Sequence, residues 1–382
     1  MSKRATETLV QNVGQNVADT LDRARHRPYA ELLRFAANCM PTLVHCSEQV
    51  DFSRPGKHHY QIAFHLDGGW GYSLVPLTVI NGLNGANKNN VICFGGTHGN
   101  EYEGQIAVKK LCTCLNADNM TGRVVLIPQL SESACNANTR VSPLDGVNMN
   151  RAFPGQARGS MSFRIAHFVK TQIFPQGRIV IDMHAGGKEG AFPICTSFHP
   201  MPDPAQQAET AAIARLYDTP FVFIYASAMA SGLLTDEAEA EGKVSLGGEF
   251  GGGETTSRWG VRHAYEGTLN VLRHYGMLEG DIQKIRHENA PPPKLVRAVD
   301  LKQYVPCPRD GVWEPVVDLG AAVEVNEVIG RLHDFSDHSA APLEIRTPRA
   351  GYVGMMHLSA RPLKGQTLYV IADEVDWQET SR

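Results

Sequence analysis

The runs "NVICFGG", "GRVVLIPQL", "GRIVIDMHAGG" and "FVFIYA" are apolar at nearly every position, and the stretches between them, "EGQIAVKKLCTCL", "SFRIAHFVKTQIF" and "QQAETAAIARLY", have helical composition. A strand that is apolar at every position needs cover on both faces. Alternation with helices supplies that cover, and it implies strands running mostly parallel. The fold class expected is therefore α/β, with a mostly parallel (mixed) sheet flanked by helices. "KVSLGGEFGG" reads as a further strand, and "DFSRPGKHHYQIAFHL" and "GYSLVPLTVINGLNG" as lead-in strands separated by Gly, Asn and Pro punctuation.

With 382 residues the chain is long enough for two folding units. The helical "AYEGTLNVLRHYGML" closes the α/β unit, and the Pro-rich, polar "IRHENAPPPKLVRA" reads as a linker, which sets the unit at 51–290. Beyond it, "DGVWEPVVDLGAAVEVNEVIGRL", "EIRTPRAGYVGMMHL" and "KGQTLYVIADEV" are short strands with regularly placed glycines, so 295–376 is expected to be a small all-β domain. Residues 1–50 form an N-terminal extension, helical over 5–39, where Leu32, Leu33, Phe35 and Ala36 share one face.

A formal charge of −4 argues against a general electrostatic grip on nucleic acid or an anionic membrane, so small molecules are the expected partners. No uninterrupted apolar stretch reaches membrane-spanning length and the N-terminus has no apolar signal core, so the expected compartment is the cytoplasm. The cysteines show no C-x-x-C pair and read as reduced, packed thiols. Cys112 and Cys114, two apart on a helix, point in different directions and make a poor metal pair.

In mostly parallel sheets, ligands bind beyond the carboxyl ends of the strands. "VICF" leads into His98 and Glu101 through a glycine-rich turn, "RIVIDM" stops at His184, and "KVSLGG" ends at Glu249. Two imidazoles and a carboxylate with one open position make the ligand set of a catalytic zinc site, and Glu249 suits the base that takes a proton from the water. Asp182, two residues before His184, is expected to point away from the site if the strand continues, with a possible role in orienting a ligand. A lone H-x-x-E is common on solvated loops; the coincidence at successive strand ends carries the assignment. The loop "NTRVSPLDGVNMNRAFPG" holds Arg140, Asn150 and Arg151. Arginine there suits a substrate carboxylate or a developing oxyanion, and loop-anchoring ion pairs are the alternative.

"GGTHGNEYEG", "NMNRAFPG", "IDMHAGG" and "GGEFGGG", in that order, resemble the succinylglutamate desuccinylase/aspartoacylase family, a branch of the zinc carboxypeptidase-like fold. The likeness runs from "DFSRPGKHH" to "LYVIADE" and is similar to the N-acetyl-2,4-diaminobutyrate deacetylase branch, which shares the "PGKxH" and "VPLTVI" lead-in. It implies one Zn2+ held by His98, Glu101 and His184, and Glu249 as the base that also protonates the leaving amine. Asn150 and Arg151 match the family's pair for the substrate carboxylate. Arg140 stands near the arginine that polarises the carbonyl, at a different spacing. The C-terminal strands resemble a biotinyl/lipoyl barrel-sandwich domain without its modified-lysine hairpin, which implies a part in shaping the active-site entrance.

Together these readings predict a zinc-dependent deacylase of a small N-acyl amino acid, N-acetyl-2,4-diaminobutyrate being one candidate, with a homo-oligomer as the default assembly. A zinc carboxypeptidase acting on small peptides and a non-catalytic metabolite-binding protein are the alternatives. Glu249 speaks against the last, because a pure binding site has no need of a base beside an open metal position.

Overall fold

The computed structural model describes residues 41–46, 48–226 and 231–381. The helical reading of 5–39 lies outside the described residues. The first strands are β1 (Thr42–His45), β2 (Gly56–His65), β3 (Tyr72–Asn81), β4 (Val91–Gly95), β5 (Arg123–Ile127), β6 (Ile179–His184), β7 (Gly190–Ala191) and β8 (Cys195–Phe198). They continue with β9 (Phe221–Tyr225), β10 (Val244–Glu249), β11 (Lys294–Ala298), β12 (Tyr304–Pro306) and β13 (Val312–Pro315). The last are β14 (Ala322–Val323), β15 (Val328–His333), β16 (Leu343–Arg346), β17 (Gly351–His357) and β18 (Thr367–Glu374).

One mixed sheet has the order β1-β2-β3-β5-β4-β6-β10-β8-β9-β11-β18-β17-β14, and β13-β15-β16 form a second, smaller one. β5, β4, β6 and β10 run parallel at its centre, while β8 is antiparallel to β10. The expected linker therefore needs correcting at its end. "KLVRA" is strand β11, parallel to β9, and β18 pairs with it, so the C-terminal strands extend the main sheet. Its Leu-Val core is apolar enough to be a strand, but the preceding prolines mask the signal.

The helices are α1 (Tyr102–Cys114), α2 (Glu132–Ala137), α3 (Met161–Phe168), α4 (Pro204–Arg215), α5 (Leu234–Ala240) and α6 (Arg258–His274). Strand residues alternate between the two covered faces. Val91, Cys93, Val124, Leu126, Ile179 and Ile181 join one core with α1, α4 and α6, whereas Ile92, Phe94, Val125, Ile127 and Val180 join the other with α3 and α5. Each aliphatic side chain so buried contributes about 1.5–3 kcal/mol. The functional side chains lie on the second face. Val180, Asp182 and His184 share it on β6, and Ser245, Gly247 and Glu249 on β10, opposite in phase to Val244 and Leu246.

Gly104 lets α1 sit directly on the end of β6. A Cβ there would lie 2.3 Å from the Met183 carbonyl oxygen, so any other residue would push the helix outward. Gly96 turns the chain out of β4 at φ +66°, a conformation costly for residues with a Cβ. Together they bring the start of α1 against the end of β6.

Candidate active site

Glu101 occupies the N-cap of α1, yet its side chain makes no cap hydrogen bond. The carboxylate turns instead toward the strand ends. Its Oε1 lies 2.8 Å from His98 Nδ1 and its Oε2 2.9 Å from His184 Nδ1, while the Ala185 N–H donates to Oε2 at 3.1 Å. The ligand atoms of His98, Glu101 and His184 all fall within 4.8 Å of one another, which makes the trio able to hold a metal ion.

The ring nitrogens show that a metal ion would fit here. Asn148 Oδ1 accepts the Asn150 N–H at 2.9 Å, so this atom is the amide oxygen, and His98 Nε2 must donate to it at 3.0 Å. The neutral ring then carries its lone pair on Nδ1, which is buried and has no hydrogen-bond partner despite its nearness to Glu101. An orphaned lone pair beside a carboxylate and a second imidazole is what a cation site requires. His184 is held the same way, with Nε2 on Asp182 Oδ2 at 2.7 Å, and Thr97 Oγ1 donates to Asp182 Oδ1 at 2.7 Å.

Asp182 therefore faces the site, against the sequence expectation. Residues two apart on a strand share a face, and Asp182 uses that phase to fix the His184 tautomer. Burial works against a proton on His184, but the carboxylates of Asp182 and Glu101 outweigh it and raise the pKa well above that of free imidazole. Burial likewise opposes ionisation of Glu101, and the two imidazoles override it, holding the carboxyl well below its usual range. A metal ion would take the place of that shared proton. His98, by contrast, is pushed toward its neutral, ligating form by burial.

Glu249 stands beside His184 across the β6–β10 pairing. Its Oε2 is buried without a partner, and burial, reinforced by the Glu101 charge, pushes its pKa up to about 8. Such a carboxyl is poised to exchange a proton near neutrality. A cavity of about 770 Å³ opens over these groups and is lined also by Arg140, Asn150 and Arg151. Arg140 donates to Glu101 Oε1 at 2.9 Å with its side chain half exposed. Arg151 Nη1 donates to the Asn150 carbonyl at 2.6 Å, and Asn150 Oδ1 accepts from Leu234 N at 2.9 Å, leaving the Asn150 amide nitrogen free of that bond. All seven predicted site residues thus line one cavity.

Sequence reasoning missed Thr97 and Asn148, which act only through other side chains, and the wall built by Ser197, His199, Tyr225 and Thr235. The C-terminal strands β17 and β18, expected to shape the entrance, bring Met355, His357 and Thr367 to the cavity, residues the sequence reading did not name. The seven described cysteines carry no disulfide; Cys112 is buried and Cys114 exposed, as their helical spacing predicts. No helix among the described residues is long and apolar enough to cross a membrane.

Known proteins share this arrangement over most of the chain. It is 32% identical over 334 residues to an N-alpha-acetyl-L-2,4-diaminobutyric acid deacetylase from Halomonas elongata, covering 86% of this chain and 95% of that protein. The crystal structure of a succinylglutamate desuccinylase/aspartoacylase from Rhodobacter sphaeroides is similar at a TM-score of 0.81 and 33% identity, over 86% of this chain and 99% of that one. The product-bound ectoine utilization protein of Ruegeria pomeroyi is similar at 0.79 and 30%, over 85% and 97% of the two chains. Residues 87–275, which include the ends of β4, β6 and β10 that carry His98, Glu101, His184 and Glu249, match the succinylglutamate desuccinylase/aspartoacylase catalytic domain. On sequence and fold alike, the chain belongs to the succinylglutamate desuccinylase/aspartoacylase family.

Proposed function

We propose that this protein is a zinc-dependent amidohydrolase that removes the acyl group, an acetyl group in the leading case, from an N-acyl amino acid such as N-acetyl-2,4-diaminobutyrate. The observation that carries the reading is the convergence of His98, Glu101 and His184 beside the unpartnered Glu249 carboxyl. Within this reading residues 51–290 form the catalytic domain and 295–376 shape its entrance, and the protein works as a cytoplasmic enzyme on small molecules. The Halomonas elongata relative, named for deacetylation of such a substrate, supports the choice of acyl amino acid.

His98 and His184 through Nδ1, and Glu101 through its carboxylate, would hold the zinc ion. When bound, zinc supplies a Lewis acid that acidifies water and polarises a carbonyl. The remaining work falls to the chain. Glu249 takes the proton from the attacking water and delivers it to the amide nitrogen, so the C–N bond breaks to give a carboxylate and a free amine. Arg140 donates toward the carbonyl oxygen as negative charge develops on it. Arg151 and the Asn150 amide grip the α-carboxylate and fix the amide beside Glu249.

Replacing Glu249 by Gln tests this directly. The expected outcome is full metal binding with kcat lower by about 10²–10⁴-fold, since the proton acceptor is lost and the ligands are kept. An enzyme at full rate after this change would exclude Glu249 as the base.

A further inference from the structure

The cavity continues past Glu249 along the same sheet face. Two residues earlier on β10, Gly247 leaves the strand bare, and the adjoining strands present Ser197 and Tyr225 there. Just past the end of β8, His199 is 4% exposed and packs edge-on against Tyr225 at 5.7 Å. Its Nδ1 meets Glu239 of α5 at 3.0 Å. Among the described residues the ring's hydrogen bonds are both made by Nδ1, to the two Glu239 oxygens, which leaves Nε2 for the cavity that His199 lines.

The Glu239 carboxylate is nearly sealed from solvent, and Asp236 on the same helix lies close enough to feel the imidazole. With the Glu239 carboxylate against Nδ1, this corner carries no net positive charge whether or not the ring is protonated. With the carboxylate accepting Nδ1–H, a neutral ring presents an acceptor at Nε2. Cations lie elsewhere on the wall, at Arg140 and Arg151 of the loop before α3 and at Lys188 in the turn after β6. The cavity therefore has a cationic region suited to a carboxylate and a separate corner where, among the described residues, Glu239 has no cation other than the His199 ring beside it.

We infer that His199 and Glu239 form the seat for a substrate ammonium, so that the enzyme selects N-acyl diamino acids with a free side-chain amine over neutral or acidic N-acyl amino acids. His199 meets the ammonium and Glu239 acts through it as a positioning residue. The inference rests on the deacylase reading above and adds the substrate's second charge to it.

The test compares kcat/KM of the zinc-loaded full chain for N-acetyl-2,4-diaminobutyrate, for N-acetylnorvaline, which has a methyl group in place of the ammonium, and for N-acetylaspartate. The wild type is expected to favour the diamino substrate over norvaline by about ten- to a hundredfold, the range of one charged hydrogen bond, and Glu239→Gln to remove most of that preference. A general structural lesion lowers both rates and leaves their ratio alone. Should Glu239→Gln fold poorly, His199→Gln and the wild-type ratio still decide. A wild-type ratio near one, a preference for N-acetylaspartate, or a ratio unmoved by both variants overturns the inference and leaves the deacylase reading standing. Inactivity of the wild type on all three compounds, with zinc bound, overturns both.

Discussion

At the ends of β4, β6 and β10, His98, His184 and Glu249 emerge directly from their strands or within a short glycine turn of them. On the neighbouring flank, His199 depends on Glu239, forty residues further along the chain and on another element. The first region is assembled by strand register alone: once β6 and β10 pair, His184 and Glu249 are neighbours. The second needs an antiparallel strand, a short helix and a bare glycine to meet. The lesson is that groups for bond breaking are written locally in this chain, and groups for choosing what is broken are written across it.

Asp182→Asn gives the sharpest challenge to that division, because it alters the partner of His184, a proposed metal ligand, without touching His184 itself. An amide can present either a donor or an acceptor to His184 Nε2, so the tautomer is no longer fixed, and metal affinity or activity should fall about 10–100-fold. Titration with a competing chelator reads it. Unchanged affinity would mean that the strand-end ligands suffice unaided.

The pH profile gives a smaller, graded effect. Glu249 must be ionised to accept a proton, so kcat/KM rises with pH as it deprotonates. Burial holds it at about 8, against an ordinary 4.5, and a cation bound nearby would favour the charged form and draw the value down. The acid limb is expected between those limits, falling about tenfold per pH unit below it. Metal content measured across the same range separates this limb from protonation of His184 and Glu101, which would release the ion. A limb at the ordinary carboxylate value with metal retained would remove the burial argument.

The mildest change belongs to the selecting flank. A Cβ at Gly247 would come 2.9 Å from Ser197 Oγ, a hydroxyl that can rotate away, and would narrow the groove beside Glu249. Gly247→Ala should raise KM several-fold for long side chains while leaving metal stoichiometry intact. A variant that instead loses metal would show the two regions to be less separate than their construction suggests.

The same division explains what could be read in advance. Alternating apolar strands and helices gave away the layered fold, and the rule that ligands lie at strand ends led to His98, Glu101, His184 and Glu249. Asp182 was misjudged because strand phase was not applied to a residue lying two positions before a ligand. His199 follows "CTSF", a run too short and too polar to be read as a strand, and because β8 runs antiparallel to β10 its carboxyl end points away from the rim that the strand-end rule searches. Glu239 carries no signal in its own neighbourhood, since its role exists only once α5 packs on the sheet. Strand β11 was hidden by the three prolines before it.

Asn148 and Asn150 join the two regions. One side chain holds His98 and the turn that carries Asn150; the other holds the first turn of α5, the helix that bears Glu239. Changes of substrate preference made in α5 therefore reach the proposed metal ligand His98 through two hydrogen-bonded side chains. Their energies would not add to those of changes at the metal, because groups in one network respond together. For such a chain, a new specificity cannot be acquired one independent substitution at a time; the order in which substitutions arrive constrains which specificities can be reached.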